Sequence, residues 1–322
     1  MKQRKVAFLL ILGAALGIVF TPPVTSRADY PDRPIKLIIP WAAGGDTDVI
    51  TRVFANQLQK QLGQTVVSTN VTGASGTVGA REAKGSPPDG YTIYSVHDYI
   101  HGTYYTAISD VNHWDFEPIC RIAFTPNLVG ANAKTPWNSM RELVADAKKR
   151  PGQITFGITL GSTTHFFAVF IEKETGAQWR YVSYEGTAPR MTALLGGHLE
   201  LARVDLTQMD KVKAGQFKLL GIATEERHPQ VSDVPTLKEQ GINVVFGENR
   251  GILAPKGTPE AALAKLEDGC SKVAKESSFP GEMRKQGTDV TFLGRKAYGE
   301  FLKRNDTQTK EAAAATGLLK RK

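Results

Sequence analysis

The sequence is poor in cysteine, which limits how disulfides or a metal site can shape the protein. Its only two cysteines are Cys120 and Cys270. Two cysteines are too few for a disulfide framework, and they lack metal-ligand spacing. An oxidising compartment would permit one bridge. Two separate buried thiols are as good an interpretation, because the sequence does not place their Cα atoms within the roughly 7 Å that a bridge requires. Of the two, we predict the bridge.

Motifs for metal binding, nucleotide binding and hydrolysis are also missing. The HExxH pattern of zinc peptidases, the GxSxG elbow of serine hydrolases and the GxxxxGK[ST] phosphate loop do not occur in the sequence. We therefore expect neither a metal nor a cofactor.

Long apolar runs are lacking, and the clearest short one lies at the N-terminus. Basic residues precede the uncharged segment 6–20, and Ser26-Arg27-Ala28 follows with small residues at the positions that a signal peptidase reads. A membrane span needs roughly 20 apolar residues, so an uncleaved anchor helix is the weaker alternative. We predict a signal peptide over residues 1–28, cleaved after Ala28, and a periplasmic mature chain without membrane insertion.

The basic balance of the chain comes largely from this signal. Residues 1–28 contain four basic residues and no acidic ones, so their removal halves the net charge of +8. No block of basic residues is interleaved with aromatics, and the last three residues, Lys320-Arg321-Lys322, resemble a solvated tail. We therefore expect no nucleic-acid partner.

Strand and helix patterns alternate along the chain. A strand at Ile35–Pro40 is followed by an amphipathic stripe over Val49–Leu62, which Gly63 ends, and the order recurs from residue 153 onward. This alternation predicts parallel sheets covered by helices. We predict an α/β fold of two lobes, each a mostly parallel sheet flanked by helices, with crossings near residues 126–132 and 244–251. Lobe 1 then comprises 29–128 plus 247–322, and lobe 2 comprises 129–246.

Two loops at helix N-termini are candidate anion sites. Gly44-Gly45 allows backbone amides to approach a ligand, and the following helix adds unsatisfied N–H groups. Asp46 and Asp48 complicate this interpretation, because acidic side chains satisfy those amides themselves. One aspartate should be a cap, while the other could hold waters or a ligand amino group. A glycine turn also serves merely to reverse the chain.

The second loop, residues 159–164, combines a glycine with four hydroxyl groups at another helix start. Ordinary capping explains one or two of these hydroxyls. Two such helix N-termini facing each other would hold an anionic ligand between the lobes. Among the histidines, we place only His97 in the cleft, because it follows a strand end where α/β sites tend to lie. For His165, a capping or core role is the favoured interpretation.

Several motifs together resemble the Bug/TctC family, the extracytoplasmic solute-binding receptors of tripartite tricarboxylate transporters. The resemblance covers essentially the whole mature chain. It is carried by Tyr30-Pro31-Asp32-Arg33-Pro34, the loop from Pro40 to Asp48, Gly73-Ala74-Ser75-Gly76-Thr77-Val78-Gly79, Pro88-Asp89-Gly90-Tyr91-Thr92, Gly161-Ser162-Thr163-Thr164-His165, Val182-Ser183-Tyr184-Glu185-Gly186 and Ala254-Pro255-Lys256-Gly257-Thr258-Pro259.

The resemblance implies a periplasmic-binding-protein (Venus-flytrap) fold whose lobes close over one small organic acid. It also implies delivery of this carboxylate to membrane permease subunits. Carried over by position, the ligand-binding residues are Trp41, Ala42, Ala43, Gly44, Gly45, Asp46, Thr47, Asp48, Ser95, His97, Thr159, Gly161, Ser162, Thr163 and Tyr184.

The sequence departs from the family pattern at three places. Asp46 stands where a small neutral residue is frequent, and Trp41 replaces a common Phe. At a further contact position, Val204 and Asp205 replace the usual Asp and Asn, and we include Asp205 among the candidates. Arg203 could pair with a carboxylate, although a surface arginine at a strand end is the simpler expectation.

These observations favour a monomeric solute receptor that performs no catalysis. A ligand-presenting partner of a membrane histidine kinase would use the same pocket and is the first alternative. An exported α/β enzyme is the second, and it would need a nucleophile and base that these loops do not obviously provide.

Overall fold

The computed structural model describes residues 30–321 of the protein. The predicted signal peptide and its cleavage after Ala28 lie outside the described residues. Within residues 30–321, no helix combines the length and the apolar character that crossing a membrane requires.

The described residues form eleven strands and ten helices. The strands are β1 (Ile35–Ile39), β2 (Val66–Asn70), β3 (Thr92–Val96), β4 (Phe116–Pro126), β5 (Leu128–Asn132), β6 (Thr155–Ile158), β7 (Arg180–Ser183), β8 (Leu201–Val204), β9 (Phe217–Ile222), β10 (Gly247–Pro255) and β11 (Asp289–Gly294). The helices are α1 (Asp46–Leu62), α2 (Thr77–Gly85), α3 (Tyr99–Tyr105), α4 (Met140–Lys149), α5 (Thr163–Thr175), α6 (Thr187–Leu195), α7 (Met209–Lys213), α8 (Glu260–Lys275), α9 (Phe279–Lys285) and α10 (Arg295–Ala315).

The first strand, loop and helix form as the sequence predicts. Helix α1 begins after Gly45, buries its apolar stripe, and ends at Gly63, whose positive φ of 67° lets its N–H reach the Gln59 carbonyl. Strand β1 then lies between β2 and β3 in parallel register. The loop before α1 follows the carboxyl end of β1, and there it faces the other half of the molecule.

The strands form two sheets, and both are mixed rather than mostly parallel as predicted. The first sheet has the order β11-β4-β10-β3-β1-β2 and the second the order β7-β6-β8-β5-β9. Pairing is parallel within β3-β1-β2 and β7-β6-β8, and antiparallel wherever β4, β5, β9, β10 or β11 takes part. The alternation of strands and helices predicted the parallel part alone, because β4 and β10 carry the chain toward and back from the second sheet, and β5, β9 and β11 pair with strands that run in the opposite direction.

The chain passes between the two sheets at two adjacent places. Only Asn127 separates β4 in the first sheet from β5 in the second. Its N–H donates to the Phe246 carbonyl (3.3 Å), and its carbonyl accepts from Ala223 N–H (2.8 Å), so the return segment lies beside it. We call the elements around the first sheet lobe 1 and those around the second lobe 2. The residue boundaries 29–128 plus 247–322 and 129–246 are retained as a proposal.

Each lobe has its own apolar core, and both cysteines lie in that of lobe 1. The structure holds Cys120 and Cys270 as free buried thiols, so the predicted bridge is not formed. Burial, reinforced by the neighbouring Cys270 thiol, raises the pKa of Cys120 well above its usual value. Because the thiolate is the reactive species, a buried, protonated thiol has little tendency to enter a disulfide.

Candidate functional site

The loop between β1 and α1 is held in place by Asp48. One carboxylate oxygen of Asp48 accepts the Gly44 N–H (3.0 Å), and the other accepts Arg52 Nε and Asn70 Nδ2 at 2.8 Å each. Asp48 therefore fixes the loop before α1, but no described side chain caps the helix itself, so the expectation that one aspartate is a cap was wrong. Ala43 and Gly44 are exposed at the outside of the loop, and Ala42 is half-buried.

Asp46 points across the cleft instead. Its Oδ1 accepts the Thr187 hydroxyl of lobe 2 (2.7 Å), and its Oδ2 accepts Arg203 Nη1 (3.0 Å) and Arg250 Nη2. Burial alone would raise the pKa of Asp46, but the two guanidinium groups outweigh it and hold the pKa well below its usual value. Asp46 is thus an ionised carboxylate that joins the lobes.

The second loop lies at the N-terminus of α5 on lobe 2. The Ser162 side chain takes the N-cap position but makes no capping bond to the helix. Its hydroxyl lies 3.1 Å from that of Thr164, which accepts the Thr159 N–H (2.8 Å). The Thr163 hydroxyl donates to Glu248 Oε1 on β10 (2.8 Å). The first N–H groups of α5 consequently face the cleft without a side-chain cap.

His165 takes the role that the sequence favoured for it. Its Nδ1 accepts the Gly161 N–H (3.2 Å), so it fixes the α5 loop. Burial lowers the pKa of His165 to about 4, which keeps the ring neutral and able to accept this bond.

Aromatic rings of lobe 1 form the wall opposite this loop. Trp41 and His97 stack with ring centroids 5.5 Å apart. His97 Nδ1 accepts the Tyr99 N–H (3.3 Å), and burial is the main cause that lowers its pKa to about 4. Both rings are buried and uncharged at neutral pH.

A network of buried charges lies behind the two loops. Arg203, fully buried, places Nη1 3.0 Å from both Asp46 and Asp205, and Nη2 3.1 Å from Glu248. Arg250 pairs with Asp46 and Glu248. The simpler expectation of a surface Arg203 was therefore wrong, because its strand leads into the interface between the lobes. Burial raises the pKa of Asp205, with Asp46 adding to the effect and Arg203 opposing it.

These groups surround a small cavity between the lobes, with a volume of about 20 Å³. Such a space admits about one water molecule. It is lined by Trp41, Asp46, Thr47, His97, Thr159, Ser162, Thr163, Thr164, Gly186, Thr187, Arg190 and Glu248. Of the sequence-predicted site residues, the structure thus brings together Trp41, Asp46, Thr47, His97, Thr159, Ser162 and Thr163.

The other predicted residues do not line this cavity. Ser95 bonds the Thr51 hydroxyl within lobe 1 (2.7 Å), and Tyr184 contributes its carbonyl to the Thr159 hydroxyl (2.8 Å). Gly45 and Gly161 lie where the two lobes contact each other. A Cβ on Gly45 would lie 3.8 Å from Thr187 of lobe 2, and a Cβ on Gly161 would clash with Thr106 of lobe 1. Ala42, Ala43, Gly44, Asp48 and Asp205 take the supporting positions described above.

Sequence reasoning missed Arg190, Glu248, Thr187 and Gly186 as cavity-lining residues, and it named Thr164 only as one of the four hydroxyls of the second loop. Arg190 carried a usable signal, because it lies in the first turn of α6, where a cation opposes the helix dipole. Glu248 carried no such sequence signal, since a single glutamate in a strand is usually solvent-exposed.

A second cavity, of about 340 Å³, lies beside the first and shares Thr163 with it. Its walls combine phenylalanine rings, among them Phe124, Phe166 and Phe246, with polar side chains such as Gln308 and Thr309. Its half-buried Asp98 carboxylate already accepts hydrogen bonds from the backbone and side chain of Asn249 and from Asn305.

Three residues of lobe 1 that can ligate a metal also come together. Ligand atoms of His101, His113 and Asp306 lie within 4.8 Å of one another. His101 Nδ1 lies 3.2 Å from Asp306 Oδ1, and Asn112 hydrogen-bonds both residues, which ties α10 to α3. None of the three lines the interlobe cavity. That the protein binds no metal stays a prediction.

Comparison with known proteins places this fold and site in a family. The family model for the tripartite tricarboxylate transporter family receptors, TctC, matches residues 50–318. The "UPF0065 protein in gbd 5'region" of Cupriavidus necator is 32% identical over 314 residues, covering 95% of this chain and 94% of that protein. The periplasmic binding protein BugD has a TM-score of 0.85 at 29% identity, covering 91% of this chain and 100% of its own.

The R. palustris protein Rpa4515, solved with adipate, has a TM-score of 0.85 at 28% identity and covers 90% of this chain and 99% of its own. These neighbours confirm the predicted two-lobed α/β fold of periplasmic binding proteins. The chain belongs to the TctC family of periplasmic solute-binding receptors, as the resemblance of its motifs predicted.

Proposed function

We propose that this protein is the receptor of a tripartite tricarboxylate-type transporter, which captures a small organic acid between its lobes and delivers it to the membrane permease subunits. Family membership and the adipate bound by Rpa4515 support this role. The receptor acts in the periplasm as a monomer and performs no catalysis.

The observation that carries the proposal is the chemistry of the interlobe cavity. The uncapped N-terminus of α5, the Ser162 hydroxyl and the Arg190 guanidinium all border it. Backbone N–H groups, a hydroxyl and a cation are the donors that bind a carboxylate. Trp41, His97 and Thr47 on lobe 1 enclose the same space, so a ligand there would contact both lobes.

Binding must involve movement of the lobes. A cavity of about 20 Å³ is too small for an organic acid, so the acid enters only when the lobes separate. Closure then gives the ligand contacts from both sides, and this differential affinity shifts the population toward the closed form.

A thermal-shift screen of the mature chain, residues 29–322, tests the proposal. The panel contains mono-, di- and tricarboxylates, amino acids and sugars. A ligand at about 100 times its Kd adds roughly 2.7 kcal/mol to the free energy of unfolding, which raises Tm by several degrees. Selective stabilisation by an organic acid is expected. Stabilisation by sugars alone, or turnover of the acid, would contradict the proposal.

A further inference from the structure

The ionised groups of the cleft pair almost completely with one another. Asp46, Asp205 and Glu248 share the guanidinium groups of Arg203 and Arg250 at 2.5–3.1 Å. Both guanidinium groups thus have carboxylate partners within the protein. Arg203 Nη2 has no hydrogen-bond partner among the described residues, but it lies 3.1 Å from Glu248, and Arg203 does not line the cavity.

Arg190 is the exception. Its side chain is 1% exposed and lines the interlobe cavity. Its guanidinium donates to the hydroxyls of Thr159 (3.3 Å) and Thr187 (3.1 Å) and to the Gly186 carbonyl (3.4 Å), all uncharged acceptors. Within residues 30–321 it has no ion pair, and its Nε has no hydrogen-bond partner. A buried cation of this kind is costly unless an anion accompanies it.

A second unused donor borders the cavity from lobe 1. The indole Nε1 of Trp41, a residue that is 4% exposed, also lacks a partner in the described part of the chain. The indole N–H is a donor only, and a carboxylate is an acceptor with two oxygens. Trp41 and Arg190 line the cavity from opposite lobes, and a carboxylate there would supply the acceptor that both lack.

The same cavity disfavours a second carboxylate. The side chains of Asp46 and Glu248 line it, and the arginine pairs hold both pKa values low despite burial, so both are ionised at neutral pH. Arg190 is the cation of this lining and has no carboxylate partner among residues 30–321, so it offsets the charge of one incoming acid group, whereas a second would meet these like charges without compensation. Asp46 already pairs with Arg203 and Arg250, in the way that a ligand carboxylate otherwise could.

We infer that the ligand carries a single carboxylate, which binds between Arg190 and Trp41, and that the rest of the ligand is uncharged. This inference rests on the proposed function, that the interlobe cavity binds an organic acid. Arg190 is then the residue that recognises the acid group, and Asp46 is the residue that selects against diacids.

Isothermal titration with pairs of ligands of equal size tests the inference. Adipate is compared with its monoamide, and succinate with its monoamide, because each pair differs by one charge. Of the two monoamides, we take the one that binds more tightly. The wild-type protein is expected to bind it at least about tenfold more tightly than the corresponding diacid. This comparison needs no variant and so does not depend on whether a mutant folds.

Variants then locate the charge recognition. Arg190→Met is expected to weaken monoacid binding at least about 30-fold, because truncating a buried, charge-paired group costs 2 kcal/mol or more. The exposed Arg180 on β7 gives the matched control, and Arg180→Met should leave affinity unchanged. Asp46→Ser is expected to improve diacid binding relative to the wild type. Melting temperatures confirm that each variant is folded.

The outcomes separate the inference from the proposed function. Tighter binding of the diacids by the wild type, or full affinity in folded Arg190→Met, would overturn the single-carboxylate inference and leave the receptor role intact. If no organic acid of any charge binds the wild type, the proposed function fails, and the inference fails with it.

Discussion

At the scale of single residues, Arg203 is the centre of the charged network. Its guanidinium contacts Asp46, Asp205 and Glu248 at 3.0–3.1 Å, and its Nε donates to Asn127 Oδ1 (2.8 Å) at the crossing between the lobes. The residue is fully buried. It therefore compensates three carboxylates that water does not solvate.

Replacing Arg203 by methionine should leave these carboxylates with Arg250 as their main partner. We expect the free energy of unfolding to fall by about 3–5 kcal/mol, the usual cost of breaking a buried ion pair on one side. Urea denaturation measures the change. Arg180→Met, at an exposed position, should change it by less than about 0.5 kcal/mol. A loss below about 1 kcal/mol for Arg203→Met would contradict the network as described.

The histidines predict how stability depends on pH. Burial lowers the pKa of His165 to about 4, whereas an unfolded chain titrates near 6.5. Between about pH 4 and pH 6.5, His165 is protonated in the unfolded chain but neutral in the folded protein. His165 therefore lowers the free energy of unfolding as the pH falls from about 6.5 to 4. Asp98, whose pKa burial raises to about 6, acts in the opposite direction between about 4 and 6.

Replacing His165 by asparagine keeps an acceptor for the Gly161 N–H and removes the titration. Between pH 7 and pH 5, the wild type should lose about 2 kcal/mol more of its free energy of unfolding than the variant does. Urea denaturation at the two pH values gives this difference. Equal losses in both proteins would show that His165 is protonated normally in the folded state.

The residues of the site were only partly accessible from sequence. Trp41, Ser162 and Thr163 follow strand ends that the pattern of the chain identifies. Arg190 and Glu248 reach the same cavity from a helix and a strand that sequence places far away. Ordinary solvation explains such charged residues equally well until the fold shows that they are buried.

At the scale of elements, α4 and α5 start with serines that behave differently. Ser139 accepts the Glu142 N–H (3.2 Å) and caps α4, whereas Ser162 makes no capping bond to α5 and borders the cavity. The start of α4 is thus closed by its own side chain, and the start of α5 is not.

This contrast predicts opposite effects of the same substitution. Ser139→Ala should lower the free energy of unfolding by about 1 kcal/mol and leave ligand affinity unchanged. Ser162→Ala should weaken binding of the acid several-fold and change stability by less than about 0.5 kcal/mol. Denaturation and titration calorimetry on both variants measure the two effects. An unchanged affinity in Ser162→Ala would remove α5 from the site.

The elements themselves were predicted better than their pairing. Apolar periodicity and terminal glycines located α1 and α5 and the strands beside them. Strand direction in the sheets is not contained in such patterns, because β4 and β10 run antiparallel through eleven- and nine-residue strands whose partners lie far apart in sequence. For strands that pair over such sequence distances, tertiary packing decides whether they run parallel or antiparallel.

At the scale of the whole molecule, closure depends on close approach between α3 and the α5 loop. Gly102 on α3 has no room for a side chain, since a Cβ would clash with the Gly161 carbonyl oxygen and lie 2.8 Å from Phe166 Cε2 across the interface. Within its own helix, alanine at position 102 would be favourable. The constraint therefore comes from the other lobe.

Gly102→Ala should shift the protein toward an open form. We expect a larger radius of gyration in small-angle scattering and weaker binding of the acid, because closure supplies part of the contacts. Gly85→Ala at the end of α2, where a Cβ meets nothing within 4 Å, is the matched control. A radius equal to that of the wild type, with and without acid, would show that this contact does not limit closure.

The most direct test of the account is a crystal structure of the mature chain with the organic acid that gives the largest thermal shift. We expect one acid between the lobes, with its carboxylate at the N-terminus of α5 and in contact with Arg190 and Trp41. An acid bound in the cavity lined by Phe124, Phe166 and Phe246, without contact to Arg190 or Trp41, would contradict this expectation.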